Sequence, residues 1–268
     1  MRNGRNRRVF HLRSNDGGNL EANITPIVLI SGFMAATGGL LFGYDIGVSG
    51  GLTTMTPILK RFFPVGYKRT LREKGRYGNY CQYDNQWLQL YTSSLFLAGM
   101  AATVVAAYTT RKFGRRMSML LAGIFSLCGT AFSAAAQDLP MLVIGRLLLG
   151  CGIGFSNQAV PVFLSEIAPT RVRGAMNILF HLNVTIGILF ANLVNYGTIK
   201  IKGGWGWRVS LGVAGVPAVL ITTAALLVAD TPNSLIERGH VEEGKAMLRK
   251  LRGTEDVEDE FIYLLQAS

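Results

Sequence analysis

The sequence predicts an all-α membrane protein, a bundle of six transmembrane helices. Of its 268 residues, 49% are hydrophobic and 16% charged, and the charges gather in clusters between apolar runs of roughly membrane-spanning length. A water-soluble fold would disperse those charges over its surface. A chain that crosses lipid must satisfy its backbone polar groups within each segment, which leaves helices as the solution for runs of this length.

The apolar runs cover residues 26–52, 87–107, 117–136, 141–163, 175–196 and 208–229. They define a bundle over 26–230, preceded by a basic tail (1–25) and followed by a segment expected to form short cytoplasmic helices (231–268). The tail carries Arg2, Arg5, Arg7, Arg8 and Arg13. The run after it is too long for a signal-peptide core and lacks a small-residue cleavage pattern, so it reads as a retained first helix. The link between the second and third runs holds Arg111, Lys112, Arg115 and Arg116, whereas the next link carries only Asp138. Basic short loops stay in the cytoplasm, so the first of these links is expected inside and both termini with it. The 53–86 loop dissents: Lys60, Arg61, Lys68, Arg69, Arg72, Lys74 and Arg76 lie there, yet the parity of crossings puts it outside. After Asp230, Leu235, Ile236, Met247, Leu248 and Leu251 alternate with charges, and no further apolar run precedes Ser268, so six helices are expected.

The net charge of +11 does not point to nucleic acid, because the basic residues sit at helix ends and in loops, where topology places them. Cys128 and Cys151 fall inside apolar runs as small packing residues, and Cys81 lies in the first loop. The sequence has no metal-ligand spacing, phosphate loop or Ser/His/Asp arrangement, so no enzyme, organic cofactor or metal site is implied. Asn23-Ile24-Thr25 would lie on the cytoplasmic side, out of reach of glycosylation.

Within the first helix, Gly39, Gly43, Gly47 and Gly51 recur every four residues and leave one face open to the close approach of another backbone. Asp45 interrupts the same helix. An ionisable side chain at membrane depth costs about 2.5–3.5 kcal/mol on insertion scales, so it calls for a partner or a wet cavity. Arg146 is the opposite charge, in the fourth helix. Counting from the helix ends, both lie roughly 8 to 10 Å below the outer surface. If the six helices form two inverted three-helix repeats, the first and fourth are counterparts, and an Asp45–Arg146 pair is expected. In the fifth helix, His181, Thr185, Ile188, Asn192 and Asn195 share one face. That stripe fits either a cavity wall or interhelical hydrogen bonds. Phe42, three residues before Asp45, points to the same side, where its ring could pack on a sugar's C–H face or simply fill the core.

Two loop motifs, Arg111-Lys112-Phe113-Gly114-Arg115-Arg116 and the stretch from Pro161 to Gly174 with Glu166, Pro169, Arg171 and Arg173, resemble signatures of sugar porters of the major facilitator superfamily. Three further motifs narrow the resemblance to plant-type monosaccharide/proton symporters: Gly38 to Asp45, Gly145-Arg146-Leu147-Leu148-Leu149-Gly150, and Pro232 to Gly239. The resemblance implies the N-terminal half of such a transporter, truncated before a second six-helix half. It implies proton-coupled hexose uptake across the plasma membrane by alternating access, with monosaccharide, proton and bilayer as partners. Asp45 would take the proton beside Arg146, and Phe42, His181 and Ile188 would contact sugar, His181 standing where the family has glutamine. Cys81 matches a loop cysteine bonded in the family to the other half. Arg115 or Arg116 could reach Glu166, with Arg171 and Arg173 near the same helix ends, as a cytoplasmic latch. Two other outcomes are a non-transporting fragment that acts by association and an uncoupled facilitative carrier.

Overall fold

The computed structural model describes residues 25–53, 55–64, 86–169, 171–201, 204–254 and 257–267, and every regular element among them is a helix. In chain order these are α1 (Pro26–Leu52), α2 (Thr56–Phe62), α3 (Gln86–Phe113), α4 (Arg115–Ala135), α5 (Leu139–Ile167), α6 (Arg173–Ile199), α7 (Gly206–Val213), α8 (Gly215–Leu227), α9 (Pro232–Glu237), α10 (Val241–Arg252) and α11 (Glu258–Ala267). Among the described residues six segments are long and apolar enough to cross a membrane: α1, α3, α4, α5, α6, and α7 with α8 taken together over Gly206–Leu227. α3, α5 and α6 overrun their apolar runs at both ends, because polar ends continue the backbone hydrogen bonding, while α1 coincides with its run and α4 and the sixth span start earlier and end sooner than theirs. The sixth span is divided near Ala214, where Pro217 has no N–H to return to the carbonyl of Val213.

Proline and glycine set the boundaries. Pro26, Pro57, Pro140 and Pro232 occupy first-turn positions, where their missing N–H costs nothing. Thr231 caps α9 by accepting from the Ser234 amide at 3.3 Å. Between α3 and α4 the chain turns at Gly114 with φ of 94°, a conformation that a side chain resists. A Cβ there would also run into the Asp230 carboxylate and the Ser234 hydroxyl. The glycine in the basic link is thus required by geometry, and the cations alone would not demand it. α10 opens with Glu242 and Glu243, closes with Arg249, Lys250 and Arg252 to match its dipole, and ends at Gly253 in the left-handed region.

Lipid gives helices no hydrophobic reason to associate, so close backbone approach and buried polar contacts decide the packing. α1 lies against α6: Gly39 and Gly43 face the carbonyls of Phe180 and Val184, and Gly47 faces Ala191. α5 sits between α3 and α4, with Gly150 and Gly154 against the α3 carbonyls of Leu95 and Gly99. Toward the basic end, which carries Gly114, the core holds Met119, Phe155, Phe163, Met176, Phe180 and Ile221. Toward the far end it holds Tyr44, Leu59, Phe62, Tyr91, Leu142 and Trp207, with α2 packed on it. Much of the outward surface is apolar, as in Phe96, Met100 and Val104 of α3 and Leu189 and Leu193 of α6, which suits contact with hydrocarbon. Cys128 also faces outward, contrary to its expected packing role, while Cys151 is half-buried. The basic tail up to Asn23 and the loop with Lys68, Arg69, Arg72, Lys74, Arg76 and Cys81 lie outside the described residues.

Candidate functional site

Asp45 on α1 and Arg146 on α5 are each 1% exposed, deep in the far half of the bundle. They approach without a direct ion pair. Both carboxylate oxygens of Asp45 are buried with no hydrogen-bond partner, as are Nε and Nη2 of Arg146. Arg146 instead donates from Nη1 to the Ser49 hydroxyl at 2.8 Å. Ser49, one turn beyond Asp45 on the same helical face, donates in turn to the Asp45 main-chain carbonyl at 2.6 Å. The guanidinium also lies over the ring of Tyr91 on α3, 4.7 Å from its centroid, and the Tyr91 hydroxyl is buried without a partner. The direct contact expected from depth counting is therefore replaced by a link through Ser49, because that hydroxyl and the Tyr91 ring occupy the guanidinium. An unpaired buried carboxylate next to a buried cation is an arrangement a structural core avoids.

The residues expected to meet sugar do not all share one environment. Phe42 is half-buried against Leu95, Leu149 and Ile153. His181 is exposed, its Nδ1 3.3 Å from the Asn177 carbonyl oxygen and its ring edge-on to Phe180. Thr185 and Asn192 are also exposed and bond to their own helix, to Leu182 at 2.7 Å and Ile188 at 3.0 Å. Ile188 is half-buried. Asn195 leaves this open face: it is buried and donates from Nδ2 to the Gly47 carbonyl of α1 at 3.1 Å. The α6 stripe thus divides into an exposed stretch, His181, Thr185 and Asn192, bonded within its own helix, and one interhelical bond at Asn195.

At the basic end, Arg115 is the hub. It donates from Nε and Nη2 to Glu166 Oε1 at 3.1 and 2.6 Å, and from Nη1 to Glu237 Oε2 at 2.7 Å. Glu166 also accepts from the Thr231 hydroxyl and from Asn233 Nδ2. Arg116 does not reach Glu166; it closes the end of α8 by donating to the carbonyls of Ala225 and Leu226 at 3.0 and 2.9 Å. Arg171 and Arg173 are exposed and form no ion pair among the described residues. Asp230 completes the network by accepting from the amides of Arg115 and Arg116 and from Arg238. Further along, Arg252 holds Glu260 with two bonds and caps α5 through the Ile167 carbonyl at 3.2 Å.

Arg115 is 6% and Glu166 13% exposed at the side chain. Removing one partner from so buried a pair leaves an uncompensated charge and costs about 3–5 kcal/mol. Arg115→Ala is therefore expected to lower the thermal unfolding midpoint of solubilised protein by several degrees, and Arg171→Ala to leave it within experimental error.

Sequence reasoning passed over Ser49, Tyr91, Asp230, Thr231, Asn233, Glu237 and Arg238. Ser49 carried a signal, its four-residue offset from Asp45, and Glu237 and Arg238 lay in the Pro232–Gly239 motif; nothing marked Tyr91. Among the described residues no cluster of His, Cys, Asp and Glu could hold a metal ion.

Residues 32–267 match the family described as "Sugar (and other) transporter". Sugar transport protein 13 of Arabidopsis thaliana is 66% identical over 255 residues, 95% of this chain and 48% of that protein. Sugar transport protein MST4 of Oryza sativa subsp. japonica is 64% identical, over 95% of this chain and 49% of that protein. The chain spans about half the length of the curated relatives it matches. Among solved structures, the xylose transporter XylE from E. coli in a partially occluded inward-open conformation superposes with a TM-score of 0.77 at 23% identity, over 90% of this chain and 59% of that one. The same transporter, described as a proton:xylose symporter of the major facilitator superfamily, superposes with a TM-score of 0.78 when bound to 6-bromo-6-deoxy-D-glucose. The six spans, with α5 held between α3 and α4 and α1 against α6, have the architecture of one half of such a transporter, and the chain belongs to the sugar transporter family.

Proposed function

We propose that this chain supplies the N-terminal half of a plasma-membrane symporter that moves a hexose together with a proton by alternating access. The observation that carries the reading is Asp45, a carboxylate buried without a hydrogen-bond partner beside an equally buried Arg146. The proton affinity of Asp45 depends on how near the guanidinium lies, so a movement of α1 against α5 driven by sugar couples to proton binding. Phe42, His181 and Ile188 line the sugar side, and the open polar face of α6 packs toward the second six-helix half, which completes the site. The basic end is cytoplasmic, as are both chain ends, and the Arg115–Glu166 network latches that side and releases when it opens.

The test is a chimera in which residues 1–268 replace the matching half of the Arabidopsis relative, compared with residues 1–268 alone. In vesicles under an inward proton gradient the chimera is expected to accumulate hexose and the half alone to take up none. A membrane-inserted chimera that fails to transport would refute the reading. Accumulation by the half alone would remove the need for a second half, and uptake indifferent to a protonophore would make the protein a facilitative carrier.

A further inference from the structure

Three buried groups, Asp45, Tyr91 and Arg146, meet the half-buried Ser49 where α1, α3 and α5 converge. Asp45 and Ser49 come from α1, Tyr91 from α3 and Arg146 from α5. The guanidinium has two possible seats in this region. It occupies the neutral one: the Ser49 hydroxyl oxygen accepts from Nη1 at 2.8 Å, and the face of Tyr91 lies under it at 4.7 Å. The charged seat, the Asp45 carboxylate, is unoccupied by any donor. Ser49 is fixed in its accepting role because its own proton goes to the Asp45 carbonyl at 2.6 Å. Tyr91 is fixed by its 6.3 Å ring contact with Phe63 and by its burial in the far-end core.

We propose that Ser49 and Tyr91 are positioning residues that form a berth for Arg146, and that the proton on Asp45 selects between berth and carboxylate. This rests on the symport reading above. When a proton from the outer solution sits on a carboxyl oxygen of Asp45, that side chain has no charge to offer, and the guanidinium is held by a hydroxyl lone pair and an aromatic face. When the proton leaves to the inner solution, the carboxylate outcompetes both neutral acceptors and draws Nη2 or Nε, which have no other partner. The guanidinium swing changes how α1 is tied to α5. The berth thus supplies the second of the two discrete arrangements that coupling requires.

No other ionisable group competes for Asp45 among the described residues. On α1 itself the neighbouring Tyr44 donates to the Ser210 carbonyl at 2.8 Å. On α6 His181 and Tyr196 are exposed, and α8 carries no ionisable residue. On α7 Arg208 stacks on Trp205 and Trp207 and donates to the Ala136 carbonyl. On α2 Lys60 and Arg61 lie on the exposed face.

The experiment is sugar uptake against external pH in the chimera described above, normalised to the amount inserted, for Ser49→Ala, Ser49→Thr, Tyr91→Leu, Tyr91→Phe and Asp45→Asn. Loss of the berth penalises the protonated arrangement, so Ser49→Ala and Tyr91→Leu are expected to move half-maximal uptake toward acid. The shift is about one pH unit for one charge-assisted contact, a roughly tenfold change in proton affinity. Ser49→Thr keeps the hydroxyl and Tyr91→Phe keeps the ring, so both are expected to restore the parent profile. If Ser49→Ala does not reach the membrane, the Tyr91→Leu and Tyr91→Phe pair reads the same berth from α3. Parent-like profiles for Ser49→Ala and Tyr91→Leu, with accumulation lost in Asp45→Asn, would overturn the berth and leave symport standing. Accumulation retained in Asp45→Asn would overturn both.

Discussion

In the chimera, Asp45→Asn is expected to abolish proton-driven accumulation of hexose while sparing exchange of labelled for unlabelled sugar. Asparagine has nearly the shape of aspartate, so the packing of α1 against α5 is kept, and Ser49 can still accept from Arg146 and donate to the main-chain carbonyl at position 45. What is lost is, among the described residues, the one carboxylate in that recess, whose charge a proton can cancel. A carrier with no such group still alternates, but a proton gradient gives it no preferred direction, so the accumulation ratio is expected to fall to about one. Because the carboxylate oxygens have no hydrogen-bond partner, the neutral amide breaks no existing bond, and the variant should fold at least as well as its parent. Dual-label exchange and net uptake, measured on the same vesicles, separate lost coupling from lost protein.

Gly43→Leu is expected to prevent the bundle from assembling. A Cβ at this position would collide with the backbone of Val184, its carbonyl group included, and backbone cannot swing aside as a side chain can. A leucine would push α1 from α6 along the whole seam. The Gly39 and Gly47 approaches would go, and with them the Asn195 bond to the Gly47 carbonyl. Overpacking a core costs about 1–3 kcal/mol when neighbours can adjust, and a clash with helix backbone lies at or above the top of that range. Gly50 gives the control, since a Cβ there meets nothing within 4 Å. Size-exclusion profiles of solubilised protein are expected to show aggregated or absent Gly43→Leu and parent-like Gly50→Ala.

Much of this fold could be read from the chain because each span announces itself by a run of apolar residues bounded by Gly114, Pro140, Pro169 or charged links. The glycine spacing of α1 was equally plain, but its partner was not: which backbone fills the groove depends on how all six helices pack, and α6 fills it. Depth counting brought Asp45 and Arg146 to one level, since rise per residue is fixed by the helix. It could not choose the seat of the guanidinium, which rests on a long side chain's rotamer and on Tyr91, which nothing in the sequence marked. Arg115 and Arg116 illustrate the same limit. Adjacent residues point about 100° apart around a helix, and only the turn at Gly114 decides that Arg115 meets Glu166 while Arg116 meets the end of α8. On α6 the shared face of His181 and Asn195 was correct as periodicity, yet the tight approach of α1 near Gly47 and Gly51 buries one end of it.

Sugar-evoked proton movement tests the central claim most directly. With the chimera in lightly buffered, unenergised vesicles, adding hexose outside is expected to make the external medium more alkaline as protons enter with the sugar, and Asp45→Asn is expected to give no pH change. Hexose entry without any external pH change in the parent chimera, or an unchanged pH response in Asp45→Asn, would contradict the account.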